Sequence, residues 1–127
     1  MIVADASAAV AALLNAGPAR RALADEQLHV PHLIDSEIAN ALRRASAGRR
    51  LDDEGAWAAL DAWRRLAMTR YPASSLLDRI WQLRDNLSGY DATYVALAEA
   101  LGCSLLTADA RLGGAPGIGC AITVVPR

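Results

Sequence analysis

Lysine is absent from this sequence, and its thirteen cationic side chains are all arginines. Fourteen acidic residues bring the formal net charge to −1, which excludes a chain that binds nucleic acid through overall positive charge. Arginine suits bidentate phosphate contacts better than lysine does. The twenty-eight alanines nevertheless favour a simpler explanation for the missing lysines, namely a GC-rich genome.

Cysteine is scarce as well, and long apolar runs are missing. Cys103 and Cys120 are too few for a disulfide framework or a zinc site, so we expect buried, reduced thiols. No run approaches the ~20 apolar residues of a membrane helix. The segment MIVADASAAV lacks the basic start of a signal peptide, and we therefore expect a cytoplasmic protein without a membrane segment. The length of 127 residues, 54% of them apolar, predicts one globular domain over 1–127.

Short β-prone runs alternate with helical segments along the whole chain. The predicted strands are Ile2–Ala4, Leu28–Val30, Thr69–Tyr71, Ser104–Leu106 and Ile122–Val125. Helices are expected at Ala6–Asn15, Ile34–Ala47, Leu51–Met68, Ser75–Arg84, Tyr90–Ala100 and Ala108–Leu112. One more helix is expected to begin at Pro18. This alternation predicts an α/β fold, with a parallel sheet, right-handed crossovers and helices on both faces.

Local signals add detail to two of these helices. In Leu51–Met68, the spacing of Trp57, Leu60 and Trp63 predicts one buried stripe. Gly102 follows the helix that begins near Tyr90, at the position where a glycine commonly ends a helix.

Each of four acids has an ordinary structural explanation. Asp5 can cap the helix that follows it, and Glu37 lies in a first helical turn, where a carboxylate complements the helix dipole. Ser88 and Asp91 have the spacing of a capping box, and Asp109 opens a short helix. Taken singly, none of these acids requires a function.

Taken together, the four acids predict a site. In a parallel sheet, strand C-termini and the N-termini of the following helices share one edge, which is where ligands bind. Two carboxylates ~4 Å apart at a moderate effective dielectric repel by about 4 kcal/mol, so such a cluster needs a cation or protonation. Oxygen ligands favour Mg²⁺ or Mn²⁺. A metal held in this way activates water for phosphodiester hydrolysis and stabilises charge on the leaving oxygen.

Three segments together resemble the PIN-domain ribonucleases of the VapC toxin type. They are IVADASAAVAALL at the start, DSEIANALRR in the middle and SGYDATYVALAEALGCSLLTADARL towards the end. Each fragment alone is weakly diagnostic, but their order and spacing match the family over nearly the whole chain. The resemblance implies a three-layer α/β/α sandwich with a central parallel sheet and a Mg²⁺- or Mn²⁺-dependent endoribonuclease. It also implies a homodimer and a cognate VapB-type antitoxin that blocks the site.

The same resemblance assigns roles to individual residues. The catalytic and metal-binding acids that it implies are Asp5, Glu37, Asp91 and Asp109. Asn40 is the asparagine of the family's E-x-x-N pattern, and Ser7 and Thr107 match small hydroxyl positions that bind a metal water or orient a carboxylate. Because no acid of the pattern is missing, we expect an active enzyme.

An acidic pocket repels RNA unless cations neutralise it, and arginines on its rim would hold the phosphates. The candidates close in sequence to the site are Arg43, Arg44, Arg84 and Arg111. Family members commonly recognise structured RNA, whose loops present splayed bases.

Two other classes of function share parts of this pattern. A phosphoacceptor receiver domain is also a parallel α/β protein with aspartates at strand ends, but it needs a lysine late in the chain, and this chain has none. A PIN-like subunit that binds RNA or an antitoxin without significant turnover keeps every motif. The sequence does not separate that subunit from the enzyme.

Overall fold

A computed structural model describes residues 1–127 as a five-stranded parallel sheet with seven α-helices. The strands are β1 Ile2–Ala4, β2 Leu28–Pro31, β3 Thr69–Tyr71, β4 Ser104–Thr107 and β5 Ile122–Val124. The helices are α1 Ala6–Leu14, α2 Pro18–Asp25, α3 Ile34–Ala47, α4 Asp53–Arg64, α5 Leu77–Gln82, α6 Gly89–Leu101 and α7 Ala110–Gly113. A 3₁₀ turn, Ser74–Leu76, precedes α5. No helix combines the length and the apolar character needed to cross a membrane.

The strand order is β3-β2-β1-β4-β5, so the chain changes direction between the central strands β1 and β4. From β1 it proceeds outward to β3, then returns past β1 to β4 and β5. Because parallel crossovers are right-handed, these two directions place their helices on opposite faces of the sheet. Helices α1 to α4 pack together, while α6 packs on α5 and against the central strands. The predicted three-layer α/β/α sandwich is confirmed.

The core lies along the two central strands and helix α6. Val3, Ala4 and Leu105 are fully buried, as expected for strands covered on both faces. In α6, every residue from 92 to 98 is buried. A helix surrounded in this way has a fixed position, and Asp91 at its first turn is fixed with it.

Several local signals act as the sequence predicts. Pro18 is the first residue of α2, where its missing N–H costs nothing. Gly102 has a φ of 65°, and the N–H of Cys103 donates to the Ala98 carbonyl at 3.0 Å. This pair of features is a Schellman motif, which ends α6 two residues before β4 begins.

The prediction for the fourth helix is wrong in two respects. The helix begins after Asp52, whose carboxylate accepts the Gly55 N–H, and it ends at Arg64. Trp57, predicted to be buried, is 57% exposed, whereas Trp63 is 1% exposed. The two are six residues apart, which places them about 120° apart around a helix of 3.6 residues per turn. One narrow face cannot contain both.

The cysteines are less buried than predicted. Cys103 and Cys120 are free thiols, and both are half-buried. Burial raises the pKa of both, that of Cys120 to about 11, so they remain protonated at neutral pH.

One ion pair ties α5 and α6 to the loop before β5. Arg79 donates to both carboxylate oxygens of Glu99 at 2.6 and 3.0 Å and to the Gly117 carbonyl at 2.8 Å. Glu99 also accepts the Gly119 N–H at 2.6 Å, and only 17% of its side chain is exposed. The Arg79 hydrogen bonds hold the pKa of Glu99 below its usual value.

Glu99→Gln is expected to weaken the dependence of stability on pH. The folded pKa of Glu99 lies below the unfolded value of about 4.3, so its contribution is present above pH ~5 and is lost as pH falls through the folded pKa. Partial exposure of Arg79 limits that contribution to the order of 1 kcal/mol. Urea unfolding at pH 7 and pH 3 should therefore show a deficit for the variant at pH 7 that shrinks at pH 3.

Glu54→Gln is the matched control, because Glu54 is exposed in the first turn of α4. It should show a smaller change between the two pH values. An equal deficit for Glu99→Gln at both pH values would contradict the ionic origin of its contribution.

Candidate active site

The candidate site lies where β1 and β4 end side by side. Asp5 directly follows β1, and Asp109 stands two residues beyond β4. The Asp5 N–H donates to the Leu106 carbonyl at 3.0 Å, so strand pairing continues up to the first acid. The crevice of a doubly wound sheet opens at the strand ends where the chain direction reverses. The structure places both acids at that crevice.

Asp5 is held by three donors. Its Oδ1 accepts the Ser7 hydroxyl at 2.6 Å and the Ala8 N–H at 3.0 Å, and its Oδ2 accepts the Thr107 hydroxyl. The residue is only 6% exposed, and a buried carboxylate is costly without such partners. The Ala8 contact is the N-cap of α1, so the cap and the candidate ligand are the same side chain.

The hydroxyls of Ser7 and Thr107 connect the two strand ends. Ser7 Oγ accepts the Ala108 N–H at 2.8 Å, and Thr107 Oγ1 accepts the Asp109 N–H at 3.0 Å. The two hydroxyl oxygens are 3.3 Å apart. Both residues therefore orient the acids on either side of them, one of the two roles expected for these positions.

Glu37 reaches the site from the first turn of α3, and Tyr94 holds it there. The Tyr94 hydroxyl donates to Glu37 Oε1, and the tyrosine is only 2% exposed. Burial raises the pKa of Glu37; the Tyr94 hydrogen bond opposes this, and the charges of Asp5 and Asp91 raise it further. Burial also raises the pKa of Tyr94, which keeps the hydroxyl a donor. Sequence reasoning missed Tyr94, although its position one turn after Asp91 places both on one face of α6.

Asp91 lies in the first turn of α6, whose N-cap is Ser88. The Asp91 N–H donates to Ser88 Oγ at 3.1 Å, as half of the predicted capping box. Burial raises the pKa of the Asp91 carboxyl, and the charges of Asp5 and Asp109 raise it further. Asp91 is therefore electrostatically coupled to the acids at both strand ends.

Asp109 is paired with an arginine. Arg111 donates to both of its carboxylate oxygens, at 3.1 Å from Nε and 2.8 Å from the terminal nitrogen. These hydrogen bonds lower the pKa of Asp109, and the charge of Arg127 contributes to the lowering. The Arg111 side chain is 90% exposed, so water and salt screen the pair.

The four acids share one edge but do not form a preassembled metal cage. No group of three or more His, Cys, Asp or Glu side chains is close enough to hold a metal ion. Asp5, Glu37 and Asp109 each have hydrogen-bond donors of their own. The donor chemistry nevertheless fits a hard divalent cation, since the cluster offers only carboxylate and hydroxyl oxygens. The pKa values of Glu37 and Asp91 are raised chiefly by burial and further by the charges of the neighbouring acids.

The remaining predicted residues fall into two groups. Asn40 and Arg44 lie beside the acids on α3, and Arg43 donates to Asn40 Oδ1 at 3.1 and 2.9 Å. Arg84 instead stacks on Trp81, 4.6 Å from the ring centroid, and donates to the Trp81 carbonyl. No ion pair connects Arg84 to an acid of the site, so its predicted phosphate contact has the least structural support among the four arginines.

Besides a cavity of about 320 Å³ that Glu37, Asn40 and Tyr90 line, two further cavities adjoin the acidic cluster. The first, about 430 Å³, lies between α1 and α3 and has Ser7 and Glu37 in its wall. The second, about 280 Å³, lies between α6 and α7 and has Asp91 and Asp109 in its wall. An extended ligand crossing the sheet edge would therefore meet a recess on each side of the acids.

Sequence comparison identifies the family to which the chain belongs. The family model described as the PIN domain matches residues 2–117. Ribonuclease VapC9 of Mycobacterium tuberculosis strain H37Rv is 61% identical over 127 residues, and the alignment covers all of both chains.

Solved structures with this fold include PAE2754 from Pyrobaculum aerophilum, with a TM-score of 0.71 and 27% identity, covering 95% of this chain and 81% of that one. VapBC2 from Rickettsia felis, solved bound to a DNA fragment from their promoter, has a TM-score of 0.70 over 98% of this chain and 99% of that one. At 13% identity, that second likeness shows the fold alone. The match to the family model and the full-length identity are decisive: this chain belongs to the PIN-domain family, and within it to the VapC ribonucleases.

Proposed function

We propose that this protein is the toxin of a type II toxin–antitoxin system and a Mg²⁺- or Mn²⁺-dependent endoribonuclease. The observation that carries the proposal is the placement of Asp5, Glu37, Asp91 and Asp109 at the switch point of the sheet, where they are electrostatically coupled. The VapC relatives carry the name ribonuclease, which supports RNA as the substrate. Hydrolysis adds water across one P–O bond of the RNA backbone and leaves a hydroxyl end and a phosphate end.

The proposed mechanism gives each acid a role that its surroundings support. Asp5 is the fixed ligand, because Ser7, Ala8 and Thr107 prevent it from turning away. Asp91 is held by a buried helix, and Glu37 is held by Tyr94. When bound, the cation supplies a water of lowered pKa and stabilises charge on the leaving oxygen.

Asp109 and Arg111 form the adjustable part of the site. Their pairing leaves Asp109 unavailable as a ligand until the exposed guanidinium moves away. Once released, Arg111 stands beside the reacting phosphate and can donate to its oxygens. Asp109 would then be free to hold the cation, and Arg111 would be free to contact the phosphate.

We also propose a cognate VapB-type antitoxin, a homodimer and a cytoplasmic location for this protein. Membership of the VapC group and the fold shared with VapBC2 of Rickettsia felis support the antitoxin. Exposed apolar side chains, including Trp57, Leu66 and Leu77, offer surface that protein partners can cover.

A second candidate is a PIN-like subunit that binds RNA or an antitoxin without significant turnover. The observation in its favour is the absence of a preassembled metal cage. Incubating the purified, antitoxin-free protein with a total RNA pool distinguishes the two, because an enzyme cuts more RNA molecules than there are protein molecules.

Chelation is expected to stop cleavage, and Mg²⁺ or Mn²⁺ to restore it. Coupled carboxylates repel substrate phosphate until a cation neutralises them, so the EDTA-treated protein should be inactive. Isothermal titration with Mn²⁺ alone should detect binding and gives a readout that does not depend on RNA. Full activity in excess EDTA, together with no Mn²⁺ binding, would contradict the metal site.

A further inference from the structure

The cavity between α1 and α3 adjoins the acidic site and has a distinctive lining. Its volume of about 430 Å³ is within the range of small-molecule sites. The polar part of its wall consists of Ser7, Asn15, Glu37, Asn40, Arg44 and Arg127. Apolar side chains, among them Val10 and Leu14, form the rest. The cavity thus combines cations, amides and an apolar surface directly beside Glu37 of the acidic cluster and Ser7, which holds Asp5.

Two cations in this wall are free to bind a ligand. The arginines that form ion pairs in this structure are Arg64, Arg65, Arg70, Arg79 and Arg111. Arg44 and Arg127 are not among them, and both are exposed. Unpaired guanidinium groups beside an acidic site are suited to bidentate contacts with an anion that the acids alone would repel.

Strand pairing fixes the position of Arg127. The Val125 N–H donates to the Thr107 carbonyl at 2.8 Å, so the end of the chain runs along β4 towards the acids. Val125 is buried, which anchors the chain two residues before Arg127. Arg127 lines the cavity, and its charge helps to lower the pKa of Asp109.

Asn40 presents hydrogen-bond donors rather than acceptors to the cavity. Arg43 donates twice to its Oδ1, at 3.1 and 2.9 Å, which occupies the carbonyl oxygen. The amide N–H groups remain available for a ring nitrogen or a carbonyl oxygen of a base. Arg43 therefore orients the Asn40 amide.

We propose that this cavity binds one nucleotide of the RNA, the nucleotide next to the scissile phosphate, with its phosphate on Arg44 and Arg127. Its base lies on the aliphatic surface of Val10 and Leu14, within reach of the Asn40 amide. A nucleotide matches the lining because it carries an anion, a flat apolar face and hydrogen-bonding edges in one molecule. The subsite rests on the proposed ribonuclease function and specifies where its substrate binds.

The test uses Asp5→Asn as a background, so that RNA binds with Mg²⁺ present and is not cut. A fluorescein-labelled single-stranded RNA of about twelve nucleotides is titrated by anisotropy at several salt concentrations. Adding Arg44→Gln and Arg127→Gln together is expected to raise Kd at least tenfold. The slope of log K against log salt should become shallower by about 0.7, the value for one phosphate that is no longer neutralised on a single strand.

The matched control is the double variant Arg21→Gln with Arg50→Gln, because it removes the same two charges from exposed positions outside the cavity. It should change neither Kd nor the salt slope. If the double variant at Arg44 and Arg127 behaves like this control, the subsite is wrong. The same unchanged RNA binding is expected if the cavity accepts an acidic segment of a protein partner instead of a nucleotide, and it would contradict the subsite in that case as well.

A second measurement locates the ligand independently of affinity. In the same background, nucleoside 5′-monophosphates with Mg²⁺ should shift the backbone amide resonances of Val10, Leu14 and Asn40. Shifts confined to the cavity between α6 and α7 would overturn the assignment. Cleavage by the wild type is measured separately, so failure of the ribonuclease proposal appears as absent turnover and failure of the subsite as unchanged binding or misplaced shifts.

Discussion

Asp5→Asn is expected to reduce RNA cleavage by about 10³-fold or more and to leave the fold intact. The carboxylate is buried at the centre of the acidic cluster, and its loss removes a fixed ligand from the proposed metal site. Metal-assisted charge stabilisation is worth several kcal/mol, and each 1.36 kcal/mol is about tenfold in rate. Asparagine caps helices about as well as aspartate does, so the hydrogen bond from Ala8 can persist. Single-turnover cleavage rates of a defined RNA would measure the effect.

The structure provides a close control for this experiment. Asp52 caps α4 in the way that Asp5 caps α1, by accepting the Gly55 N–H at 2.7 Å. Asp52→Asn makes the same chemical change at an exposed cap and should leave cleavage within a factor of two or so, as a surface substitution should. Circular dichroism and thermal unfolding of both variants would show whether stability differs. Unimpaired cleavage by well-folded Asp5→Asn would contradict the metal-site proposal.

The shared location of the acids could be predicted from sequence because it depends on topology. Parallel strands and the helices after them meet at one sheet edge, so strand ends and first helical turns locate Asp5, Glu37, Asp91 and Asp109. The partners of these acids were harder to predict. Tyr94 comes from a different helix than Glu37, and only packing brings their side chains together.

The partners and positions of Arg111 and Arg127 were also difficult to predict from sequence. The sequence predicts Arg111 as a phosphate ligand, but in this structure it pairs with Asp109. Arg127 belongs to no motif, and its place at the site follows from the pairing of Val125 with β4. Sequence patterns identify residue types suited to phosphate, whereas the choice among competing partners depends on three-dimensional distances.

For the fold, the reliable signals were those with a local physical cause. Pro18 and Gly102 act within one turn of the chain, and the helix boundaries that they imply lie close to the observed ones. The stripe predicted for α4 is wrong because two successive steps of three residues turn the helix too far, and Trp57 lies well around the helix from Trp63. Which of two tryptophans is buried depends on the neighbours of the helix, and these are set by the whole fold.

The contrast between these two tryptophans supports a prediction of large effect on stability. Trp63→Ala is expected to lower the free energy of unfolding by roughly 3–5 kcal/mol, the usual cost of emptying a buried aromatic site. Trp63 is 1% exposed, and its indole N–H donates to Asp35 at 2.8 Å. Asp35 in turn accepts Arg70 at 2.8 and 3.0 Å, so the indole also connects α4 to a contact between α3 and β3.

Trp57→Ala changes the same residue type in the same helix, and at 57% exposure it should cost well under 1 kcal/mol. Trp63→Phe separates the two contributions of Trp63, because it keeps most of the apolar burial and removes the indole N–H. Losing the hydrogen bond to a carboxylate should cost about 1–3 kcal/mol. The cost of Trp63→Phe should therefore fall between those of the two alanine variants. Urea midpoints with unchanged m-values would measure all three variants. Equal midpoints for Trp57→Ala and Trp63→Ala would contradict the finding that Trp63 is buried and Trp57 is exposed.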